Sequence, residues 1–305
     1  MRKRWTTDQI SDQTDRVIIV TGASSGIGYE TAWVLAEKGA TVILAVRNSR
    51  KGKLAVQKIL SGVPQAKVRM MLVDLADLAS VQRFASEFKA QYLRLDVLIN
   101  NAGIMILPLQ LTQDGFESQF GANHLGHFAL TGLLLDRLKV TPHSRVVTIS
   151  SLAAHHAKID FDNLDGRKGY KAIEFYGQSK LANMLFAREL QRQLTANQLE
   201  TISLTCHPGF SQSNLFSRGS GKTANPFLRF LQNRVSQPAN MGALPTLYAA
   251  TDASVTGGEY IGPDGKKKRR GYPKQDRIID ELDNQQVSER LWQISEELTG
   301  VTYHF

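Results

Sequence analysis

The chain has 305 residues, of which 42% are hydrophobic and 21% charged, so it can bury a sizeable core. Its 37 Lys and Arg residues outnumber its 28 Asp and Glu residues, giving a net charge of +9. No apolar run approaches the roughly 18 residues of a membrane span, and the basic N-terminus lacks the apolar stretch of a secretory signal. A single cysteine, Cys206, excludes an internal disulfide and suits the cytoplasm, and no Cys/His cluster has metal-ligand spacing.

Short β-branched runs alternate with amphipathic segments along most of the chain. In chain order we predict a strand at 16–22, a helix at 26–39, a strand at 41–46, a helix at 49–62, a strand at 67–75, a helix at 77–92 capped by Asp77, a strand at 95–103, a helical region at 113–138, a strand at 144–151, a helix at 176–197, a strand at 201–206 and a C-terminal helix at 284–299. Because the strands are continuously apolar, this order predicts a parallel sheet covered by helices on both faces. We therefore expect one doubly wound α/β domain, with an N-terminal extension at 1–14 and a C-terminal extension at 263–305.

Residues 210–240 are the least regular part of the chain. They mix Gly, Ser, Asn and Pro with many large apolar residues: Phe210, Leu215, Phe216, Phe227, Leu228, Phe230 and Leu231. A segment that follows a late strand lies near the carboxyl ends of the strands, where doubly wound folds bind ligands. We interpret it as a substrate lid or an apolar substrate wall, with a mobile surface loop as the alternative.

A glycine-rich loop, TGASSGIG at 21–28, joins the first predicted strand to the first predicted helix. Gly22, Gly26 and Gly28 allow the backbone to turn tightly and to approach a pyrophosphate. The helix N-terminus supplies unpaired N–H groups and the positive end of a dipole. The loop is therefore predicted to bind a dinucleotide.

The end of the second predicted strand bears on which dinucleotide is bound. A carboxylate there would accept hydrogen bonds from the ribose 2′-OH of NAD. The sequence instead has Arg47 followed by Asn48, and Arg47 can pair with the 2′-phosphate of NADP. Arg50, Lys51 and Lys53 could add positive charge. The pattern favours NADP, although Arg47 could also be an ordinary surface residue.

The most obvious local source of positive charge is the run KKKRR at 266–270. A solvated loop on a basic enzyme accounts for this run. Attraction to an anionic partner is the alternative, and contact with an anionic membrane surface is one hypothesis. No aromatic residues interleave with the run, and no nucleic-acid-binding motif occurs elsewhere, so nucleic acid is not an expected partner.

Tyr176 and Lys180 lie four residues apart, on one face of a predicted helix. This spacing alone is weak, but it completes an ordered series: TGASSGIG, Asp74, NNAG at 100–103, NHLGHF at 123–128, ISS at 149–151 and YGQSK at 176–180. The series resembles the short-chain dehydrogenase/reductase family from about residue 15 to 262. Three stretches, AVRNSRKG, NHLGHF and SKLANMLFARELQRQL, resemble the retinol dehydrogenase and protochlorophyllide reductase group. The long gap between Ser151 and Tyr176 does so too.

The resemblance implies a Rossmann-like fold and a catalytic role for four residues. Tyr176 would act as general acid or base, and its pKa would have to fall from about 10 to work near neutrality. Lys180 would supply the positive charge that lowers it. Ser151 would hold the substrate oxygen, with Ser150 as a rival one position earlier. Asn123 would fix a water that links Lys180 to solvent.

The resemblance also implies a set of cofactor-binding residues. Asp74 would reach the adenine, Asn101 and Gly103 would line the adenosine side, and Pro208 and Gly209 would lie beside the nicotinamide. The full set comprises Gly22, Ser24, Ser25, Gly26, Ile27, Gly28, Arg47, Asp74, Leu75, Asn101, Ala102, Gly103, Tyr176, Lys180, Pro208 and Gly209. Ser213 stands in for a threonine that often follows the Pro-Gly turn. Cys206 is interpreted as a buried structural residue.

Together these features predict an NADP(H)-dependent oxidoreductase that interconverts a carbonyl and an alcohol. The expected substrate is apolar and bulky, a retinal-like aldehyde first. Two alternatives stay open: light-dependent reduction of protochlorophyllide, for which further cysteines are lacking, and a non-catalytic NADP-sensing protein. The family is often dimeric or tetrameric, so a homo-oligomer is a further prediction that no feature of the sequence decides.

Overall fold

The computed structural model describes residues 4–211, 236–276 and 284–305. The predicted substrate lid at 210–240 lies outside the described residues except at its ends, 210–211 and 236–240. Its apolar residues from Leu215 to Leu231 lie outside them as well, and so does Ser213.

Eight strands of the described residues form one sheet in the order β3-β2-β1-β4-β5-β6-β7-β8. They are β1 (Val17–Thr21), β2 (Thr41–Val46), β3 (Lys67–Leu72), β4 (Val97–Asn100), β5 (Arg145–Ile149), β6 (Ile202–Cys206), β7 (Tyr260–Pro263) and β8 (Pro273–Gln275). All neighbours are parallel except β7 and β8, which run antiparallel with Ile261 opposite Gln275. The predicted doubly wound parallel sheet is confirmed, and the last two strands extend it beyond the predicted set.

Helices cover both faces of this sheet. They are α1 (Gly26–Glu37), α2 (Ser49–Gly62), α3 (Leu78–Gln91), α4 (Ser118–Phe120), α5 (Gly126–Leu133), α6 (Leu135–Lys139), α7 (Ala172–Ala196), α8 (Ala239–Thr251) and α9 (Gln285–Thr299). A π-helical segment, Gly121–Leu125, joins α4 to α5. Among the described residues, none of these helices is long and apolar enough to cross a membrane.

Side-chain caps begin several of these helices, α2 and α3 among them. Asp77 caps α3 as predicted, because its carboxylate accepts a hydrogen bond from Ser80 N at 3.1 Å. Asn48 caps α2 in the same way, accepting from Lys51 N at 2.9 Å. The cap places the first turn of α2 directly after the end of β2.

Two helix boundaries differ from the prediction. The region 113–138 is not continuously helical, because Leu111 and Glu117 pair in an isolated bridge and the helix begins only at Ser118. Helix α7 begins at Ala172, four residues before the predicted start, so Tyr176 lies inside the helix and not at its end. Its phenol is therefore fixed by a formed helical turn.

Alternate residues of β1 serve the two faces of the sheet, as the two-residue period of a strand requires. Ile18 and Val20 pack towards α1 and α8, whereas Ile19 packs towards α3 and α5, and all three are fully buried. Each such side chain contributes about 1.5–3 kcal/mol of burial free energy. Since β1 lies at the centre of the sheet, its carboxyl end is held rigidly.

Both predicted extensions pack on this core. Trp5 donates its indole N–H to Asp252 Oδ2 at 2.7 Å. Near the other end of the chain, Tyr303 donates its hydroxyl to Phe128 O at 2.7 Å, and the Trp292 ring lies 5.1 Å from that of Phe128. Helix α9 packs against α7 and α5 and therefore braces the helix that carries Tyr176.

Candidate active site

A cavity of about 390 Å³ opens at the carboxyl edge of the sheet. It lies where the strand order reverses between β1 and β4, the place at which doubly wound folds bind ligands. Fifteen of the sixteen predicted cofactor-binding residues line it, and Gly209 does not. The residues that sequence reasoning left out of that set are Ala45, Val46, Asn48, Lys51, Val73, Ile104, Ala122, Ile149 and Ser150. Most of these residues directly flank a motif residue at the end of a strand. Including the immediate neighbours of the motif residues would therefore have predicted them.

The glycine loop has the shape that a pyrophosphate needs. Gly22 and Gly26 adopt φ values of +69° and +61°, in the region that favours glycine. A Cβ on Gly22 would lie 2.9 Å from Ala102 Cα, and one on Gly28 would lie 2.4 Å from Asn101 Nδ2. Ser25, at the N-cap of α1, makes no side-chain cap, so the first N–H groups of the helix stay available to an anion. These residues fit a dinucleotide.

Asn101 supports this loop from below. Its side chain donates to Thr21 O at 2.7 Å, and its main-chain N–H donates to Thr21 Oγ1 at 2.9 Å. Its side-chain amide is therefore engaged by the protein, although the residue lines the cavity as predicted. Asp74 also lines the cavity, while its Oδ1 accepts from Ala76 N at 3.0 Å.

Two cations line the cavity at the end of β2. Arg47 directly follows the strand, and Lys51 lies in the first turn of α2. Arg50 and Lys53, which were also candidates, do not line it. Asp74 is the only acidic residue among the described lining residues, so this corner of the cavity is positively charged.

Tyr176 and Lys180 both lie buried on α7, with Lys180 Nζ 5.9 Å from the centroid of the Tyr176 ring. Lys180 Nζ donates to Ile149 O at 3.1 Å, and burial lowers the pKa of Lys180 to about 8. Burial raises the pKa of Tyr176, and the Ser151 hydroxyl beside it offsets only part of that rise. The expectation of a lowered tyrosine pKa is therefore wrong for the protein alone, because burial outweighs the favourable contacts.

Ser150 and Ser151 divide their roles clearly. The Ser150 hydroxyl donates to Lys180 O at 2.7 Å, so its hydrogen is used within the fold. The Ser151 hydroxyl accepts from Ala153 N at 3.2 Å, which leaves its own hydrogen free to donate. Of these two serines, Ser151 is therefore the one that lies beside Tyr176 with its hydroxyl hydrogen available to donate.

Asn123 occupies the π-helical segment and is fully buried. Its Oδ1 accepts from Ile104 N at 2.8 Å, and its Nδ2 donates to Ile104 O at 3.0 Å and to Ser179 Oγ at 2.9 Å. A Cβ on Gly103 would lie 3.4 Å from both Asn123 Oδ1 and Lys180 Nζ, so these two side chains converge there. The water-fixing role of Asn123 stays a prediction.

A buried polar network holds the loop after NNAG. The Tyr170 hydroxyl donates to Leu107 O, which is 2.8 Å away. It also lies 3.2 Å from the carboxylate of Glu117, a fully buried residue. Gln119 donates to Tyr170 Oη at 2.9 Å and accepts from Ile106 N at 2.7 Å. Burial, reinforced by Glu117, raises the pKa of Tyr170 above its usual value. The network ties this loop to the residues that lead into α7.

Large apolar side chains stand exposed on both of these segments. Ile106 and Leu109 on the loop are each 43% exposed, and Ile173 at the start of α7 is 54% exposed. Leu109 also packs beside Gly166, because a Cβ added to Gly166 would lie 2.9 Å from Leu109 Cδ1. Phe210, at the edge of the described residues, is 41% exposed.

The HPG turn after β6 is only partly in the cavity. Pro208 lines the cavity, whereas Gly209, with φ +63°, packs so closely on the Arg269 carbonyl that a Cβ would lie 2.4 Å from it. Arg269 belongs to the KKKRR run, which forms the turn between β7 and β8. Within that run Lys268 forms an ion pair with Asp276, whose side chain is 3% exposed. The run is therefore anchored at Lys268 and exposed elsewhere.

Cys206 is fully buried, as predicted for a structural cysteine. Burial raises the pKa of its thiol to about 12, so the reactive thiolate is suppressed. Among the described residues, no three His, Cys, Asp or Glu side chains converge as a metal site.

Comparison with known proteins agrees with this geometry. The profile of the short chain dehydrogenase family matches residues 16–220. Retinol dehydrogenase 12 of Mus musculus is 39% identical over 294 residues, which cover 94% of this chain and 87% of that protein. A solved structure of an uncharacterised Mycobacterium Paratuberculosis protein is 40% identical, with a TM-score of 0.83, and covers 99% of this chain and 100% of that one. A short chain dehydrogenase from Escherichia coli CFT073 complexed with NADPH is 25% identical, with a TM-score of 0.63, and covers 84% and 98%. The chain therefore belongs to the short chain dehydrogenase family, resembles its retinol dehydrogenases, and is an oxidoreductase of the alcohol/carbonyl type with a nucleotide-binding Rossmann-type fold.

Proposed function

We propose that this protein is an NADP(H)-dependent oxidoreductase that reduces an apolar carbonyl, with a retinal-like aldehyde as the first candidate, and that Tyr176 is its general acid. The observation that carries the proposal is the pair of buried residues Tyr176 and Lys180 at the wall of a cavity that fits a dinucleotide, with the half-buried Ser151 beside Tyr176 although outside the cavity lining. They are the groups that proton transfer to a carbonyl oxygen requires.

Each residue of this group has a distinct task. The bound nicotinamide would supply the hydride. Tyr176 holds the proton that the carbonyl oxygen receives, and its raised pKa keeps the phenol protonated before reaction. Ser151 donates its free hydroxyl hydrogen to that oxygen, and the Lys180 ammonium stabilises the tyrosinate left behind.

The preference for NADP rests on the corner of the cavity at the end of β2. Arg47 and Lys51 supply two positive charges, and the N-terminus of α2 adds its dipole. A structural neighbour complexed with NADPH supports the same cofactor. No carboxylate follows β2 to receive a ribose 2′-OH.

The preference for an apolar substrate rests on exposed side chains of the loop after NNAG and of the first turn of α7, which lie close along the chain to the lining residues Ile104 and Tyr176. Ile106, Leu109 and Ile173 offer apolar surface beside the segment that leads to Tyr176. The relative named retinol dehydrogenase supports a retinoid as the first substrate to try. Contact of the exposed part of the KKKRR run with an anionic membrane, where such substrates dissolve, is part of this proposal and is tested by flotation with anionic liposomes. A cytoplasmic location and a homo-oligomeric state stay predictions.

The test is NADPH oxidation in the dark with all-trans-retinal, for the wild type and for Tyr176→Phe. We expect turnover by the wild type and loss of at least about a hundredfold in the variant, because general acid catalysis is removed while NADPH still binds. Tyr248→Phe is the matched control. Tyr248 lies on α8, outside the cavity, and its hydroxyl is 3.2 Å from Ser254 Oγ.

Two results would redirect the proposal. Tight NADPH binding without dark turnover of any carbonyl would favour reduction of protochlorophyllide under light, or a sensing role. Full activity of Tyr176→Phe would remove Tyr176 from the mechanism.

A further inference from the structure

His127, on α5, is a buried histidine that the reaction described above does not use. It is 1% exposed, and both of its ring nitrogens have partners. Nδ1 lies 2.9 Å from the main-chain oxygen of Asn123, and Nε2 lies 2.9 Å from Thr21 Oγ1. The ring therefore spans the gap between the end of β1 and the π-helical segment.

The hydrogen bonds of Thr21 indicate which nitrogen of the His127 ring carries the hydrogen. A hydroxyl carries one hydrogen and accepts at two lone pairs. The N–H groups of Asn101 and Ala102 both donate to Thr21 Oγ1 at 2.9 Å and use those lone pairs. The hydroxyl hydrogen then goes to His127 Nε2 at 2.9 Å, ahead of the carbonyl oxygen of Ile99 at 3.2 Å.

The contact at Nδ1, on the opposite side of the ring, also indicates that Nε2 carries no hydrogen. Asn123 O can only accept, so Nδ1 must carry the ring hydrogen. A charged ring, or the Nε2–H tautomer, would present a third donor to Thr21 Oγ1. Burial lowers the pKa of His127 to about 4, which keeps the ring neutral near pH 7. The geometry thus admits one form, the neutral Nδ1–H tautomer.

The partners of His127 reach both halves of the site. On one side, Thr21 begins the glycine loop and holds Asn101 and Ala102, which line the cavity. On the other side, Asn123 donates to Ser179 Oγ at 2.9 Å, and Ser179 Oγ donates to the Tyr176 carbonyl at 2.8 Å. One imidazole therefore connects the dinucleotide cradle to the helix that carries the proton donor.

We propose that His127 is a positioning residue that holds the glycine loop and the Asn123–Ser179–Tyr176 chain in register, so that cofactor and proton donor face one carbonyl. The inference rests on the function proposed above. Because the two ring nitrogens serve different halves of the site, their effects are separable. Loss of the Nε2 contact weakens cofactor binding, and loss of the Nδ1 contact slows turnover.

Three variants of His127 test this separation. His127→Gln keeps an acceptor near the Nε2 position, His127→Asn keeps a donor near the Nδ1 position, and His127→Phe keeps neither. We expect the Phe variant to raise the Kd for NADPH about tenfold and to lower kcat about ten- to a hundredfold, as small misplacements of reacting groups do. The Gln variant should retain NADPH affinity with reduced kcat, and the Asn variant should show the reverse.

His124→Gln is the matched control. His124 lies three residues earlier, is equally buried at 1% exposure, and bonds Ser295 Oγ at 2.9 Å on α9, outside the cavity. Its substitution should lower Tm without changing Kd or kcat at a temperature well below Tm. A readout that needs no variant is the ¹⁵N NMR spectrum of the wild-type histidines, in which His127 should be protonated at Nδ1 and bare at Nε2.

The outcomes are distinct. Equal losses in all three His127 variants, or losses no larger than those of His124→Gln, would overturn the inference, and so would an Nε2–H tautomer. Absence of wild-type carbonyl turnover would instead refute the proposed function. In that case the NADPH affinities and the tautomer would still decide whether His127 holds the cradle.

Discussion

Replacing Arg47 by alanine should weaken the binding of NADPH and leave the binding of NADH unchanged. Arg47 and Lys51 are both exposed at the cavity wall, so each contact with a 2′-phosphate is partly screened by water. A charge-assisted hydrogen bond contributes about 1.5–3 kcal/mol when sheltered, and an exposed ion pair about 0.2–1 kcal/mol. Because both side chains are exposed but line a cavity, we take a value between these two ranges, about 1–2 kcal/mol, which is about five- to thirtyfold in Kd for NADPH. NADH lacks the phosphate, so its Kd should not change.

The assay is fluorescence titration of NADPH and NADH with the wild type, Arg47→Ala and Arg47→Ala/Lys51→Ala. The double variant should lose more NADPH affinity than the single one. The preference should shrink as salt is raised, because the Debye length falls from about 10 Å at 0.1 M to about 3 Å at 1 M. Arg50→Ala is the matched control, since Arg50 lies in the first turn of the same helix but does not line the cavity. Equal losses for NADPH and NADH, or an Arg50→Ala effect as large as that of Arg47→Ala, would refute the electrostatic reasoning.

Three further predictions concern buried or partly buried groups. Burial lowers the pKa of His124 to about 3 from about 6.5 in the unfolded chain, so its stabilising contribution is present above pH 6.5 and is lost as pH falls. Between pH 7 and pH 5 the wild type should lose about 2 kcal/mol of unfolding free energy through this residue, and urea unfolding of His124→Gln should lack that loss. Tyr170→Phe should raise KM for retinal several-fold with the Kd for NADPH unchanged, because the buried Glu117 loses a partner and the loop bearing Ile106 loosens. Native Cys206 should resist thiol reagents at pH 8 and react after unfolding, because it is fully buried and its pKa is raised to about 12.

Each of these predictions has a clear contrary result. An acid sensitivity of His124→Gln equal to that of the wild type would show that another group dominates the pH dependence. A Tyr170→Phe variant that binds NADPH more weakly would show that the hydrogen bonds of Tyr170 support the cofactor site and not the substrate site. Rapid labelling of native Cys206 would mean that β6 opens readily at its carboxyl end.

The chain order of apolar strands and amphipathic helices was sufficient to predict the central sheet. Strands β1, β2, β4, β5 and β6 appear at their β-branched runs, because continuous apolar strands are stable only when buried on both faces. Strand β3 also appears where predicted, but it lies at the edge of the sheet and is largely exposed. The glycine loop was equally readable, since Gly22 and Gly26 do adopt positive φ. Strands β7 and β8 were not predicted: they are four and three residues long, too short for a period to show.

At the site, local spacing determined some features and contacts between distant segments determined others. The i, i+4 spacing was enough to place Tyr176 and Lys180 on one helical face, and the absence of an acid after Arg47 could be read directly. The direction of the Tyr176 pKa shift could not be predicted from the sequence, because it depends on burial produced by residues far apart in the chain. The choice between Ser150 and Ser151 was equally out of reach, since it depends on which hydroxyl meets the Lys180 carbonyl. The role inferred for His127 is of the same kind: its partner Thr21 lies 106 residues away, and only the folded sheet brings the two together.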